Sequence, residues 1–175
     1  MSAEEHRAYA PAVLGFGLIT VSDTRAREDD VSGRVLRDGV AGAGHRVLDT
    51  ALVPDDVAAI RAAAVRMLER PGVDVVVLTG GTGLAPRDLT VEAVAPLFDR
   101  PVEGVGELFR MLTYQQVGAA AMLSRAAAGL ARGRAVFVLP GSPKAVALAL
   151  ESLILPEAGH LLSQARRASS PLAAD

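Results

Sequence analysis

"VDVVVLT", residues 73–79, constrains the fold more than any other stretch. Val73, Val75, Val76, Val77 and Leu78 are mostly β-branched, and a strand made of them is apolar on both faces. Such a strand needs cover on both sides, which points to a parallel sheet flanked by helices. "VLGFGLITV", 13–21, reads as an earlier strand, and "HRVLDTALV", 45–53, as a second with partial alternation. Between these two, a charged loop over 23–33 leads to a helix over 34–43. Ser32 can cap this helix, and Gly42 or Gly44 can stop it. Pro54 and Asp55 open a further helix, with Val57, Ile60, Ala64, Met67 and Leu68 on one face and Pro71-Gly72 at its end. Strand, helix, strand, helix, strand is the order of right-handed crossovers that build a parallel sheet covered on both faces.

Beyond Asp88, "LTVEAVAPLFDR" reads as a helix capped by Thr90 and kinked or ended by Pro96. Residues 101–118 hold an amphipathic run with Val105, Leu108, Phe109 and Leu112. Two short strands are expected within 120–141, the second being "AVFVLP". A last helix over 143–161 carries Val146, Leu150, Leu153 and Ile154 inward. One domain over 13–161 accounts for the pattern, with flexible termini at 1–12 and 163–175.

The formal charge of -2 leaves no electrostatic footprint for nucleic acid, and 3% aromatic residues leave little for base stacking. The absence of cysteine excludes disulfides, thiol catalysis and cysteine-rich zinc sites. His6, His45 and His160 are too scattered for a local metal motif. The N-terminal "MSAEEHRAYAP" lacks the basic and apolar regions of a signal peptide, and no stretch reads as long and apolar enough to span a membrane, so a cytoplasmic protein is expected. An apolar share of 50% points to buried surface between subunits. Lys144 is the only lysine, set directly after a turn, where a functional role and a simple arginine bias of the chain both fit.

Ligands of open parallel sheets bind beyond the carboxyl ends of the strands. Two loops there have suitable composition: "TGGTGLAPRD" after the third strand and "LPGSPKA" after the last. Both let a ligand approach the backbone, and both precede a helix whose free N–H groups favour anions. Neither is a dinucleotide or Walker A motif, and two ordinary turns would have the same glycines. Asp88 and Asp55 likewise read either as site carboxylates or as helix caps.

"TGGTGLAPRDLTVEAV", "DRPVEGVGELFRML" and "LPGSPKA", in this order, resemble the MogA/MoaB family of molybdenum-cofactor biosynthesis proteins over roughly residues 13–160. "ITVSDTRAREDDVSG" and "DRPVEGVGELFRMLTYQQVG" are most similar to the MoaB branch. The resemblance implies a three-layer α/β/α sandwich with a mostly parallel central sheet. It implies Mg-ATP-dependent adenylylation of molybdopterin with release of pyrophosphate, and hand-over to a separate molybdate-inserting protein. Some MoaB-branch members lack the required acidic residues, whereas Asp55 and Asp88 stand at both acidic positions here. They are the implied catalytic residues and Mg2+ ligands. Thr79, Gly80, Gly81, Thr82, Gly83, Arg87, Gly141, Ser142, Pro143 and Lys144 are the implied substrate- and nucleotide-binding residues. The family also implies a homotrimer, with hexamers formed as paired trimers in the MoaB branch. Binding of molybdopterin without catalysis, as a carrier or scaffold, is the alternative function.

Overall fold

A computed structural model describes residues 13–23 and 29–167. The expected flexibility of 1–12 and of 168–175 therefore falls outside the described residues. Six strands form one sheet, β1 (Gly15–Val21), β2 (Arg46–Val53), β3 (Val75–Thr79), β4 (Arg100–Pro101), β5 (Ala127–Ala131) and β6 (Arg134–Leu139), in the order β2-β1-β3-β6-β5-β4. Pairs β1–β2, β1–β3 and β3–β6 are parallel, while β5 and β4 add an antiparallel edge. Strand order reverses beside β1: the chain first crosses to β2 on one side, then returns to β3 on the other. The carboxyl ends of β1, β3 and β6 thus lie next to one another at the switch point.

Helices cover both faces, because every residue of β1 and β3 is buried. On one face, Phe16, Leu18, Val75, Val77 and Phe137 pack against α1 (Val31–Gly42), α4 (Glu103–Val117), α5 (Pro143–Ala149) and α6 (Leu155–Arg167). On the other, Ile19, Val21, Val76, Leu78 and Val138 pack against α2 (Val57–Glu69) and α3 (Thr90–Val94). The result is the expected three-layer sandwich.

Several expected boundaries move, each for a local reason. Asp30, not Ser32, caps α1: one carboxylate oxygen accepts from Gly33 N at 2.8 Å, and the other accepts from Thr20 Oγ1 at 2.6 Å. Ser32 is fully buried and donates to the Gly141 carbonyl at 2.8 Å. Asp56, not Asp55, caps α2, accepting from Ala59 N at 2.8 Å. Thr90 is no cap either, since its hydroxyl donates to Gly80 O at 2.8 Å. Helix α3 is a single short turn, because Pro96 turns the chain into a 3-10 segment, Ala95–Leu97. At five residues it is too short to form the anion-binding helix end that the sequence suggested.

The last helical run also departs from its expected form. A π-helical turn, Leu150–Ile154, joins α5 to α6, and the helix continues to Arg167, past the expected end at 161. The run Pro143–Arg166 reaches the length and composition of a membrane span, as a buried core helix also can. Its apolar residues Val146, Leu150, Ile154, Ala158 and Leu162 are buried against the sheet.

The cap assignment yields a test. Asp56→Ala should lower the unfolding free energy by about 1 kcal/mol, the usual loss for a removed N-cap. Asp55→Ala should show no such loss in the same denaturant titration, because Asp55 caps nothing.

Candidate functional site

The site forms where strands β1, β2, β3 and β6 end. Gly80 N donates to Leu139 O at 3.1 Å, and Thr79 Oγ1 donates to Pro140 O at 2.9 Å, so the two glycine loops are joined at their roots. A side chain at Gly141 would come within 3.2 Å of the Gly80 Cα. Gly80 has φ 102°, and a Cβ there would lie 2.2 Å from the Val21 carbonyl oxygen. Glycine is required at that point for its backbone angle and for its lack of a side chain.

The first loop is then folded back. Thr90 donates through its N–H to Gly81 O at 3.0 Å and through its hydroxyl to Gly80 O, which closes the loop at its base. At the tip, Asp88 Oδ2 accepts from Ala85 N at 2.9 Å, and Asp88 N donates to Ala85 O at 2.9 Å. Asp88 therefore shapes the loop instead of capping the helix after it. Arg125 binds the outside of the loop, with Nε donating to Thr82 O at 3.1 Å and Nη2 to Asp88 O at 2.7 Å.

A cavity of about 740 Å³ opens above these strand ends. Its polar wall carries Asp23, Asp55, Gly80, Gly81, Thr82, Gly83, Arg87, Asp88, Gly141, Ser142 and Pro143. The opposite wall carries Phe109, Thr113, Ala120, Ala121 and Leu123. Ten of the twelve residues singled out from sequence are thus brought together. Thr79 lies below the cavity, fully buried and joining the loops. Lys144 is exposed and does not line the cavity. Ser142 is the N-cap of α5, accepting from Ala145 N at 3.2 Å, and its hydroxyl keeps a proton to donate.

Asp55 is the most perturbed group on the polar wall. Its Oδ1 is buried and accepts no hydrogen bond. It lies so close to Gly81 that a Cβ there would approach it to 2.2 Å. Burial raises the Asp55 pKa above its ordinary value, and the negative charges of Asp23 and Asp88 raise it further, against a smaller opposing effect of Arg87. Asp23 reaches the site by accepting from Asp55 N at 2.8 Å. Asp23, Asp55 and Asp88 are hard oxygen donors, suited to a cation such as magnesium. Among the described residues, no group of three acidic or histidine side chains is already gathered tightly enough to hold a metal.

Sequence reasoning missed Asp23, Thr90 and Arg125. The signal for Asp23 was its place at the end of β1, the same position that Asp55 occupies after β2. Thr90 and Arg125 act through backbone carbonyls of distant residues and leave no local pattern. Phe109 and Thr113 lie one helical turn apart on α4; Phe109 was legible only as a core residue.

The family described as "Probable molybdopterin binding domain" matches residues 17–160. "Molybdenum cofactor biosynthesis protein B" of Bacillus cereus is 44% identical over 168 residues, spanning 95% of this chain and 99% of that protein. The protein of the same description from Escherichia coli K12 is 47% identical over 140 residues, 80% of this chain and 82% of its own length. Among solved structures, the tungsten cofactor synthesizing protein MoaB from Pyrococcus furiosus superposes with a TM-score of 0.83 at 41% identity, covering 90% of this chain and 99% of that one. Motif order, fold, the joined glycine loops and these matches agree, and the chain belongs to the MogA/MoaB family of molybdenum-cofactor biosynthesis proteins, in its MoaB branch.

Proposed function

We propose that this protein adenylylates molybdopterin at the expense of Mg-ATP. The observation that carries the reading is the convergence of Asp55 and Asp88 on one cavity with both glycine loops. An oxygen of the molybdopterin phosphate attacks the α-phosphorus of ATP, the bond to the β-phosphate breaks, and pyrophosphate leaves. Backbone N–H groups of Gly81 and Gly83 and the Ser142 hydroxyl orient phosphate oxygens, while the Gly80 N–H is already given to Leu139 O. Arg87 supplies a cation at the open edge. Asp55 and Asp88, with Asp23, are the residues that would hold magnesium. The buried, unpartnered Asp55 Oδ1 and the all-oxygen donor set fit such an ion. When bound, magnesium neutralises charge on the phosphates and on the departing pyrophosphate. Positioning and electrostatics suffice for this chemistry, and no covalent enzyme intermediate is required. The adenylylated product would pass to a separate molybdate-inserting protein.

One observation favours a second reading, binding without catalysis. No metal-holding cluster is preformed among the described residues. Purified protein with molybdopterin and Mg-ATP decides between the two: pyrophosphate release supports adenylylation, whereas pterin binding without it supports a carrier.

We also propose a trimer, with a hexamer built from paired trimers. Leu108, Met111, Tyr114 and Val117 on α4 are exposed, as are Met122, at 77%, and Leu123 just beyond it. One contiguous segment carrying so much exposed apolar surface marks an interface. Light scattering at micromolar concentration should give a mass of three or six chains, and a monomer there would refute the assembly.

Asp88→Asn keeps the size and much of the hydrogen bonding of the side chain but removes its charge. Adenylyl transfer should fall about a hundredfold, corresponding to ~2.7 kcal/mol of lost transition-state stabilisation. Stability should hardly change, because the amide oxygen can still accept from Ala85 N. Turnover at the wild-type rate under saturating Mg-ATP would remove Asp88 from the chemistry.

Asp55→Asn should show the opposite side of its perturbed environment. Well below the ordinary carboxylate value of 3.8, Asp55 is protonated in both the folded and the unfolded chain and costs nothing. As pH rises from there through the higher folded value, the native state must ionise a desolvated group, and stability is lost. Without magnesium, Asp55→Asn should therefore be more stable than wild type at pH 7 in urea titrations. That advantage should vanish as pH falls toward 3.8. An equal advantage at both pH values would show that the charge is not its source.

A further inference from the structure

The loop that carries Arg87 and Asp88 is held from outside the cavity by one side chain. Arg125 lies between the 3-10 segment Gly118–Leu123 and β5. Its Nε donates to Thr82 O at 3.1 Å and its Nη2 to Asp88 O at 2.7 Å, so a single planar group spans both strands of the loop. The far edge of the same guanidinium grips the Glu92 carboxylate through Nη1 and Nη2. This hydrogen bond to Arg125 holds the Glu92 carboxyl below its ordinary range. Glu92 sits in the first turn of α3, the helix into which the loop runs.

We propose that Arg125 is the positioning residue of the phosphate cradle, clasping Thr82 and Asp88 by their carbonyls so that the loop amides and the Asp88 carboxylate keep a fixed spacing. The inference rests on the adenylylation reading for its effect on rate, but the clasp itself is a property of the free protein. Three donors must point in three fixed in-plane directions at once, which a guanidinium does and an ammonium does not. Glu92 serves as the counter-charge that keeps the plane aligned. Without the clasp, the bonds that remain to the loop among the described residues are at its base, to Thr90, and at its tip, between Ala85 and Asp88.

Arg125→Lys in the full chain tests this by two readouts. The first is amide hydrogen exchange without ligand. Ala85, Asp88 and Thr90, whose N–H groups are bonded within the loop, should exchange faster, while the β3 amides of Val75–Thr79 keep their wild-type protection. Acceleration shared equally by β3 would indicate a general stabilising role and would overturn the proposal, as would no change at all. The second readout is pyrophosphate release. The rate should fall by about a hundredfold, the scale expected when reacting groups are misplaced by ~1 Å. Glu92→Gln, which can still accept a hydrogen bond, should lose much less. Turnover by Arg125→Ala should be partly restored by millimolar guanidinium, which a purely structural loss would not allow. A wild-type rate in Arg125→Lys would overturn the positioning role. If wild-type protein releases no pyrophosphate, the adenylylation reading fails, and the exchange pattern alone still decides whether the clasp exists.

Discussion

The site depends on one close backbone contact. Gly80, Gly141 and the Val21 carbonyl meet with no room for a side chain between them. These residues end three adjacent parallel strands, β3, β6 and β1. A Cβ at Gly80 would force β1 and β3 apart at their carboxyl ends, where register with Val53, Thr79 and Leu139 brings the loops into line. The remaining bonds preserve that contact: Thr79 to Pro140, Gly80 to Leu139, Thr90 to Gly80, and Ser32 to Gly141. Each uses a polar group that is buried and would be costly if left unpaired.

Packing strand ends this tightly also packs their acids. Asp23 follows β1, Asp55 follows β2, and Asp88 returns on the loop after β3. The backbone hydrogen bond from Asp55 to Asp23 makes this proximity part of the fold. The cost falls on Asp55, whose Oδ1 has neither water-exposed surface nor a donor. A group kept in such a position works against stability, and functional sites are where such compromises are expected.

Strands and layers were legible because the buried pattern has a strong period. β1 and β3 are buried at every residue, as their continuous apolar runs indicated. Helix starts were displaced because Ser, Thr and Asp cluster at each one, and backbone angles decide which of them caps. Asp56 has the extended backbone of an N-cap, whereas Asp55, one residue earlier, turns toward Gly81. Strand β4 has two residues, one of them proline, so no periodicity could mark it. The glycine loops stood out by composition at strand ends, but Asp55 and Asp88 read there as caps just as well, and only the family resemblance singled them out as site carboxylates. Arg125 was not, because its partners are carbonyl groups 43 and 37 positions away.

The two walls of the cavity are unequal, and one of them belongs to a segment that also forms the outer surface. The polar wall is braced by strand ends and by Arg125. The apolar wall rests on α4 and the 3-10 segment after it, through Phe109, Thr113, Ala121 and Leu123. The same segment exposes Leu108, Met111, Tyr114 and Met122 on its other side. A helix shifts as a unit over a few turns, so a contact made at Leu108 or Met111 would be felt at Phe109 and Thr113. Ser124 and Arg125 follow directly, one lining the cavity and the next bonded to the carbonyls of its glycine loop. A short, continuous stretch of backbone therefore joins the exposed apolar face to the carbonyl of Asp88.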